Sequence, residues 1–319
     1  MKRLPKLLLA AIFLLVGISC EDIIEEDISN DTVQIVFPQN NSTVSSNVVN
    51  FQWNELDGAD KYRIQVFNST SGIVVDSLVT QTNFSSPIEA GSYQWRVRGE
   101  NSAYESNYTF NINFSVIQTS DLTNQQVILS SPSNNLYTNA SSLVLDWQDL
   151  TNAATYSFEL LNVTGGNLIV TQQSGLTNSS VTLAAGNLQQ EAEYLWRVKA
   201  MNSSTNTVFS DRVFYIDRTL PNTPQLTTPI NNSSTAANQT VSFSWTMASD
   251  SGTIQSPISY VIEFSNSSSF SSLIQTTDVN TTSFQQTFTV SGDYYWRVRA
   301  KDVAGNIGSN SNIFKFIVN

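Results

Sequence analysis

The chain has 319 residues, only 13% of them charged, with 26 acidic against 15 basic residues and a formal net charge of −11. Such an acidic surface repels nucleic acid and anionic lipid. The absence of histidine removes His-containing triads, His metal ligands and the usual general base near neutral pH, and Cys20 is the only thiol.

In chain order, Lys2, Arg3 and Lys6 precede a ten-residue apolar run from Leu7 to Val16, too short for a membrane anchor and flanked as a secretory signal is. The run ends in Gly17-Ile18-Ser19-Cys20. That stretch resembles a bacterial lipobox, with Gly17 where Leu is commoner. The resemblance implies that residues 1–20 are a lipoprotein signal peptide and that Cys20 is the point of acylation, joining the protein to a membrane through lipid. The following "EDIIEEDISND" holds Glu21, Asp22, Glu25, Glu26, Asp27 and Asp31. Like charges extend a chain, so residues 21–32 are expected to form a solvated tether. Glu21, Asp22, Glu25, Glu26 and Asp27, hard against the lipidated cysteine, also resemble the export signal of surface-displayed lipoproteins in certain Gram-negative bacteria. The implied address is the outer membrane, cell-surface exposed. Loss of the first twenty residues removes three basic and no acidic residues, taking the net charge to −14.

From residue 33 the chain repeats itself three times. Each repeat opens with Pro and an Asn pair, "PQNNS" at Pro38, "PSNNL" at Pro132 and "PINNS" at Pro229. Fifteen or sixteen residues later comes Trp53, Trp147 or Trp245. The approach to each Trp alternates apolar and polar residues, as in Val49, Phe51 and Trp53 against Asn50 and Gln52, which predicts a strand with one buried face. "YRIQV" at Tyr62, "YSFEL" at Tyr156 and "YVIEF" at Tyr260 predict a second such strand, with Gln65, Glu159 and Glu263 facing outward. "YQWRV" at Tyr93, "YLWRV" at Tyr194 and "YYWRV" at Tyr294 predict a third. Tyr93, Trp95 and Val97, and their counterparts around Trp196 and Trp296, share the buried face; the Arg and Lys residues between them form a basic outer stripe whose stems cover apolar surface. Short strands at Phe114, Phe214 and Phe316 close the repeats, with Gly, Asn and Ser turns between.

These features in this order resemble fibronectin type III domains, with Tyr93, Tyr194 and Tyr294 in the place of that fold's tyrosine corner. The Trp two residues later stands where an aliphatic residue is usual. The resemblance implies an all-β protein: three tandem fibronectin type III-like β-sandwiches in an extended array after the signal peptide and acidic tether. The domains are expected at 33–117, 125–217 and 222–319, joined by "QTSDLTNQ" (118–125) and by "DRTLPNTP", from Asp217 to Pro224, whose prolines stiffen the second joint.

Chemistry is sparse. No Gly-rich phosphate loop is present, and the acidic residues of the repeats read as scattered, none at a repeated position that suggests a catalytic pair. Calcium needs only oxygen ligands, and Asp302, Gly305 and Asn306 with Asp217 and Asp121 are the candidates. They read more simply as turn residues, so no metal site and no cofactor are assigned. All six Trp fall at core-facing positions, leaving no sugar platform. Tyr104, Tyr108, Tyr137, Tyr295 and Phe270 do not recur across repeats and read as packed or incidental surface aromatics. The expectation is a non-catalytic envelope protein, monomeric or part of a complex, that binds a protein or glycan. Alternatives are a structural spacer or accessory subunit of an outer-membrane complex and, more distantly, a carboxylate-based glycosidase. The loops diverge between repeats, "DSGTIQSP" in the third having no counterpart of similar length in the first, which favours binding.

Overall fold

A computed structural model describes residues 25–319. The signal peptide, Cys20, Glu21 and Asp22 lie outside the described residues. Within them the elements are strands and one three-residue 3-10 turn, Ala185–Asn187. No helix there is long and apolar enough to cross a membrane.

Each repeat folds into a three-stranded sheet packed on a five-stranded sheet. In the first, the small sheet orders Ile35–Phe37, Val48–Trp53 and Asn83–Pro87. The large sheet orders Ser42–Val44, Ile112–Val116, Gly91–Glu100, Lys61–Asn68 and Ile73–Val79. The second and third repeats copy both orders. Long strands pair antiparallel, whereas Ser42–Val44, Leu136–Thr138 and Ser233–Thr235 run parallel to the last strand of their repeat. By contacts the chain divides into two compact units, one built on the first sandwich and one holding the second and third.

Period-two alternation puts the aromatic residues inside. Trp95, Trp196 and Trp296 are fully buried, and Trp53, Trp147 and Trp245 are at most 4% exposed. Burying an aromatic side chain removes roughly 150–250 Å² from water, a gross gain of about 4–6 kcal/mol at about 25 cal/mol per Å². The packing recurs too. Tyr93, Tyr194 and Tyr294 stack on Phe114, Phe214 and Phe316 with centroids 5.6, 5.4 and 5.4 Å apart. Tyr194 and Tyr294 donate their hydroxyls to the carbonyls of Gln190 and Val290, four residues back, as a tyrosine corner does.

The opening Pro-x-Asn-Asn motif has a structural task. Each proline follows a cis peptide bond, and Asn41, Asn135 and Asn232 adopt left-handed backbone (φ 65°, 63° and 66°), which Asn tolerates better than most residues. The preceding Asn40, Asn134 and Asn231 accept the main-chain N–H of Asn113, Val213 and Lys315 through Oδ1. Asn thus turns the chain and ties it to the closing strand.

Three expectations change. The acidic segment is not free chain throughout, because Ile28 is fully buried and Asn101 Nδ2 donates to the Glu26 carbonyl. The 118–125 stretch is likewise more than a linker, since Leu122 is fully buried in the core of the second sandwich. The outer basic stripe, finally, is roofed by aromatics. Arg96 and Arg98 lie 4.1 and 4.8 Å from the Tyr108 ring, Arg197 lies 4.5 Å from Phe209, and Arg297 lies 4.1 Å from Phe270. Tyr108 and Phe209 both stand thirteen residues after the buried Trp, so Tyr108 does recur, in altered form, in the second repeat. The expected outward residue Glu263 is only 4% exposed and pairs with Arg297 (2.7 Å) and Arg299 (3.2 Å).

Candidate metal centre

Each sandwich is entered by a short segment whose Asp accepts the main-chain N–H two residues on. Asp27 Oδ1 holds Ser29, Asp121 Oδ1 holds Thr123 and Asp217 Oδ1 holds Thr219, at 3.0, 2.9 and 3.2 Å. An acidic residue therefore does occupy a repeated position. Sequence spacing hides it, because the third copy sits one residue further from its Pro-x-Asn-Asn motif than the other two.

Two more repeated positions face that segment. Six residues after the buried Trp stand Asn101 and Asn202, each just past the end of its repeat's longest strand, and Asp302, the last residue of its own. Five residues after the first Trp stand Gly58, Asn152 and Asp250. In the first sandwich Asn101 Nδ2 donates to the carbonyls of Glu26 (2.9 Å) and Gly58 (2.8 Å). In the second, Asn202 Nδ2 donates to the carbonyls of Ser120 (2.8 Å) and Asn152 (3.3 Å). One amide nitrogen thus latches the entering segment to the loop. Its oxygen accepts from the turn that follows, at Tyr104 and at Thr205.

In the third sandwich all three positions are aspartate. Carboxylate oxygens of Asp217, Asp250 and Asp302 lie within 4.8 Å of one another. The residues are 0%, 8% and 6% exposed. Asp217 Oδ2 accepts from the N–H and hydroxyl of Ser256, and Asp302 accepts the Asn306 main-chain N–H (2.8 Å) and Nδ2 (2.8 Å). Asp250 Oδ1 accepts the Gly252 N–H at 2.9 Å, whereas its Oδ2 is buried and has no hydrogen-bond partner. Among the described residues no Lys or Arg forms an ion pair with any of the three; the basic side chains there pair with Asp76, Glu100, Glu105, Glu159, Glu263, Asp278 and Asp293 instead. Burial pushes the Asp250 carboxyl above the ordinary carboxylate range. The Gly252 N–H works against that rise, and the charges of Asp217 and Asp302 add to it.

The surroundings are built, not incidental. Asn306 Nδ2 donates to the Asp217 carbonyl (2.9 Å), and its Oδ1 accepts from Asn139 of the second sandwich (3.1 Å). Glu191 accepts from the Arg218 and Thr253 N–H groups, joining the connecting segment to the loop that carries Asp250. A Cβ at Gly308 would collide with the Pro221 carbonyl oxygen. A surface cavity of about 390 Å³, lined by Asp250, Ser256, Met247, Gln255, Tyr260 and Asn280 among others, opens beside the trio. In the sequence Asp217, Asp302 and Asn306 stand apart as calcium candidates and Asp250 is not among them; the shared offsets of Asp250 and Asp302 from the two Trp residues of each repeat are the signal that unites them. Asp121, the fifth calcium candidate, lies in the entering segment of the second sandwich and accepts only from Thr123.

No protein-family model matches the chain, and no curated protein matches it. Among solved structures it is similar to the FN1–FN3 domains of chicken CNTN1, at 17% identity and a TM-score of 0.46, over 90% of this chain and 97% of that one. It is also similar to the fibronectin(III)-like modules of Clostridium thermocellum CbhA, at 16% identity and a TM-score of 0.40, over 61% and 94%. The strand order of each repeat and the tyrosine-corner hydrogen bonds make the fold that of an all-β chain of three tandem fibronectin type III-like sandwiches.

Proposed function

We propose that the protein is a non-catalytic, lipid-anchored envelope protein, held by acylated Cys20 at the outer membrane of a Gram-negative bacterium and displayed at its surface. There its sandwiches bind a protein or a glycan. The observation that carries this reading is the loop from 246 to 257, between the strands Thr240–Trp245 and Ile258–Ser265. It outgrows the matching loops 54–60 and 148–154 and lines the cavity beside Asp250. Conserving a framework while varying its end loops is how this sandwich architecture acquires ligands. A spacer or accessory subunit is the second reading, favoured by the hydrogen bonds that knit Asn139, Glu191 and Arg218 into the connection between the second and third sandwiches. A glycosidase finds little support, because the trio of carboxylates is buried and its oxygens, Asp250 Oδ2 aside, accept from backbone, hydroxyl and amide donors.

Fatty-acid labelling of the native host, combined with protease shaving of intact cells, tests the anchor and the address. Label is expected on the wild-type chain and absent from Cys20→Ser, and the chain is expected to be digested on intact cells. Equal labelling of the variant, or full protection from protease, would overturn the reading.

A further inference from the structure

We propose that Asp217, Asp250 and Asp302 form a calcium site that replaces, in the third sandwich, the amide latch of the first two. In the earlier repeats the gap between entering segment and loop is bridged by a donor, Asn101 or Asn202 Nδ2, reaching two acceptors. In the third repeat the donor has become Asp302, and the loop adds a further acceptor in Asp250. Three acceptors face one another where a neutral amide donor stood, and Asp250 Oδ2 is buried with no hydrogen-bond partner. A buried charge needs a counter-ion, and among the described residues no Lys or Arg pairs with the trio. A bound cation satisfies all three at once.

The donor set selects the ion. It is all oxygen, without imidazole or thiolate, which suits a hard divalent cation rather than zinc or copper. Two oxygens on opposite sides of a calcium ion lie about 4.6–5.2 Å apart, and one oxygen from each of the three carboxylates lies within 4.8 Å of the others. Magnesium demands a tighter octahedron and keeps most of its waters. The cavity beside Asp250 gives the ion a route in and room for water to complete its shell. Binding would lock the second sandwich to the third, because Asp217 follows the last strand of one while Asp250 and Asp302 belong to the other.

The test uses the full chain in detergent, stripped with chelator and titrated calorimetrically with calcium chloride. One ion per chain is expected, with a dissociation constant on the order of 0.1–1 mM as in other extracellular calcium modules, and a thermal midpoint that rises with calcium. Asp302→Asn restores the residue the first two repeats carry, so it should fold; it should bind calcium at least tenfold more weakly and lose the thermal response. Asp250→Asn should behave alike and, in chelator, melt no lower than wild type. No binding by the wild-type chain at 5 mM calcium would overturn the proposal. So would unchanged affinity in both variants, or magnesium binding more tightly than calcium at the same stoichiometry.

Discussion

The second and third sandwiches fasten their entering segments at equivalent positions by opposite means. At Asn202 a neutral amide gives hydrogens to two carbonyls; at Asp302 a carboxylate meets two more carboxylates. The frame around both is the same, down to the Tyr156 and Tyr260 hydroxyls that accept the N–H of Leu150 and Ala248 in the loop. The difference lies in the side chains at the latch and in the longer loop that carries Asp250. On the proposal above, a repeat fold exchanges an internal hydrogen-bond donor for an external cation and in doing so becomes responsive to its surroundings.

The comparison breaks most sharply if the second latch is rewritten as the third. Asn152→Asp with Asn202→Asp would set two carboxylates beside Asp121 in the entering segment. In chelator the double variant is expected to lose about 2–3 kcal/mol, since the carbonyls of Thr119, Ser120 and Asn152 forfeit their donors and like charges are brought together. Calcium should restore most of that loss, and the stoichiometry should rise from one to two. Urea unfolding with and without calcium reads both effects. A loss that calcium leaves untouched would mean that the three positions do not suffice to hold an ion.

A smaller effect separates latch from frame. Tyr260→Phe leaves the buried N–H of Ala248 without its acceptor, and Tyr62→Phe does the same to Leu56 in the first sandwich. Each is expected to cost about 1–2 kcal/mol. Only Tyr260→Phe should weaken calcium binding, because Ala248 lies two residues before Asp250 on the same loop. Equal calcium affinity in both variants would show the ion to be held independently of the loop's anchorage.

Much of the frame was legible from residue spacing. Strands with one buried face declare themselves by period-two alternation, and three copies in register make the pattern hard to mistake; Trp95, Trp196 and Trp296 are all fully buried. The Asn pairs were visible as punctuation but not as ties, since nothing local says that Asn40 will meet a strand more than seventy residues away. The acidic trio was illegible for a related reason. Asp217, Asp250 and Asp302 are far apart in the chain, and each alone looks like a turn residue. Ile28 and Leu122 misled in the opposite sense, as apolar residues in polar stretches that nonetheless are fully buried, Leu122 in the core of the second sandwich.

The least expected effect contrasts a cation the chain supplies with one it must borrow. Glu100 in the first sandwich is 14% exposed at its side chain and pairs with Arg98 (2.8 Å) and Arg63 (3.0 Å). Burial alone would raise its carboxyl, but the hydrogen bonds from Arg98 and Arg63 outweigh burial and hold it below the ordinary range. A carboxyl that releases its proton more readily folded than unfolded adds stability above its unfolded pKa, about 4.3 for glutamate. That stability drains away as pH falls through the lower folded value. Arg63→Ala removes one of the two cations, whose own side chain is 31% exposed, so the expected loss at neutral pH is below about 1 kcal/mol. The loss should shrink towards zero in acid, and it should be the same in chelator and in calcium, because this pair carries its own counter-charge. A calcium-dependent loss at Arg63 would place a second ion near the first sandwich and dissolve the contrast between the repeats.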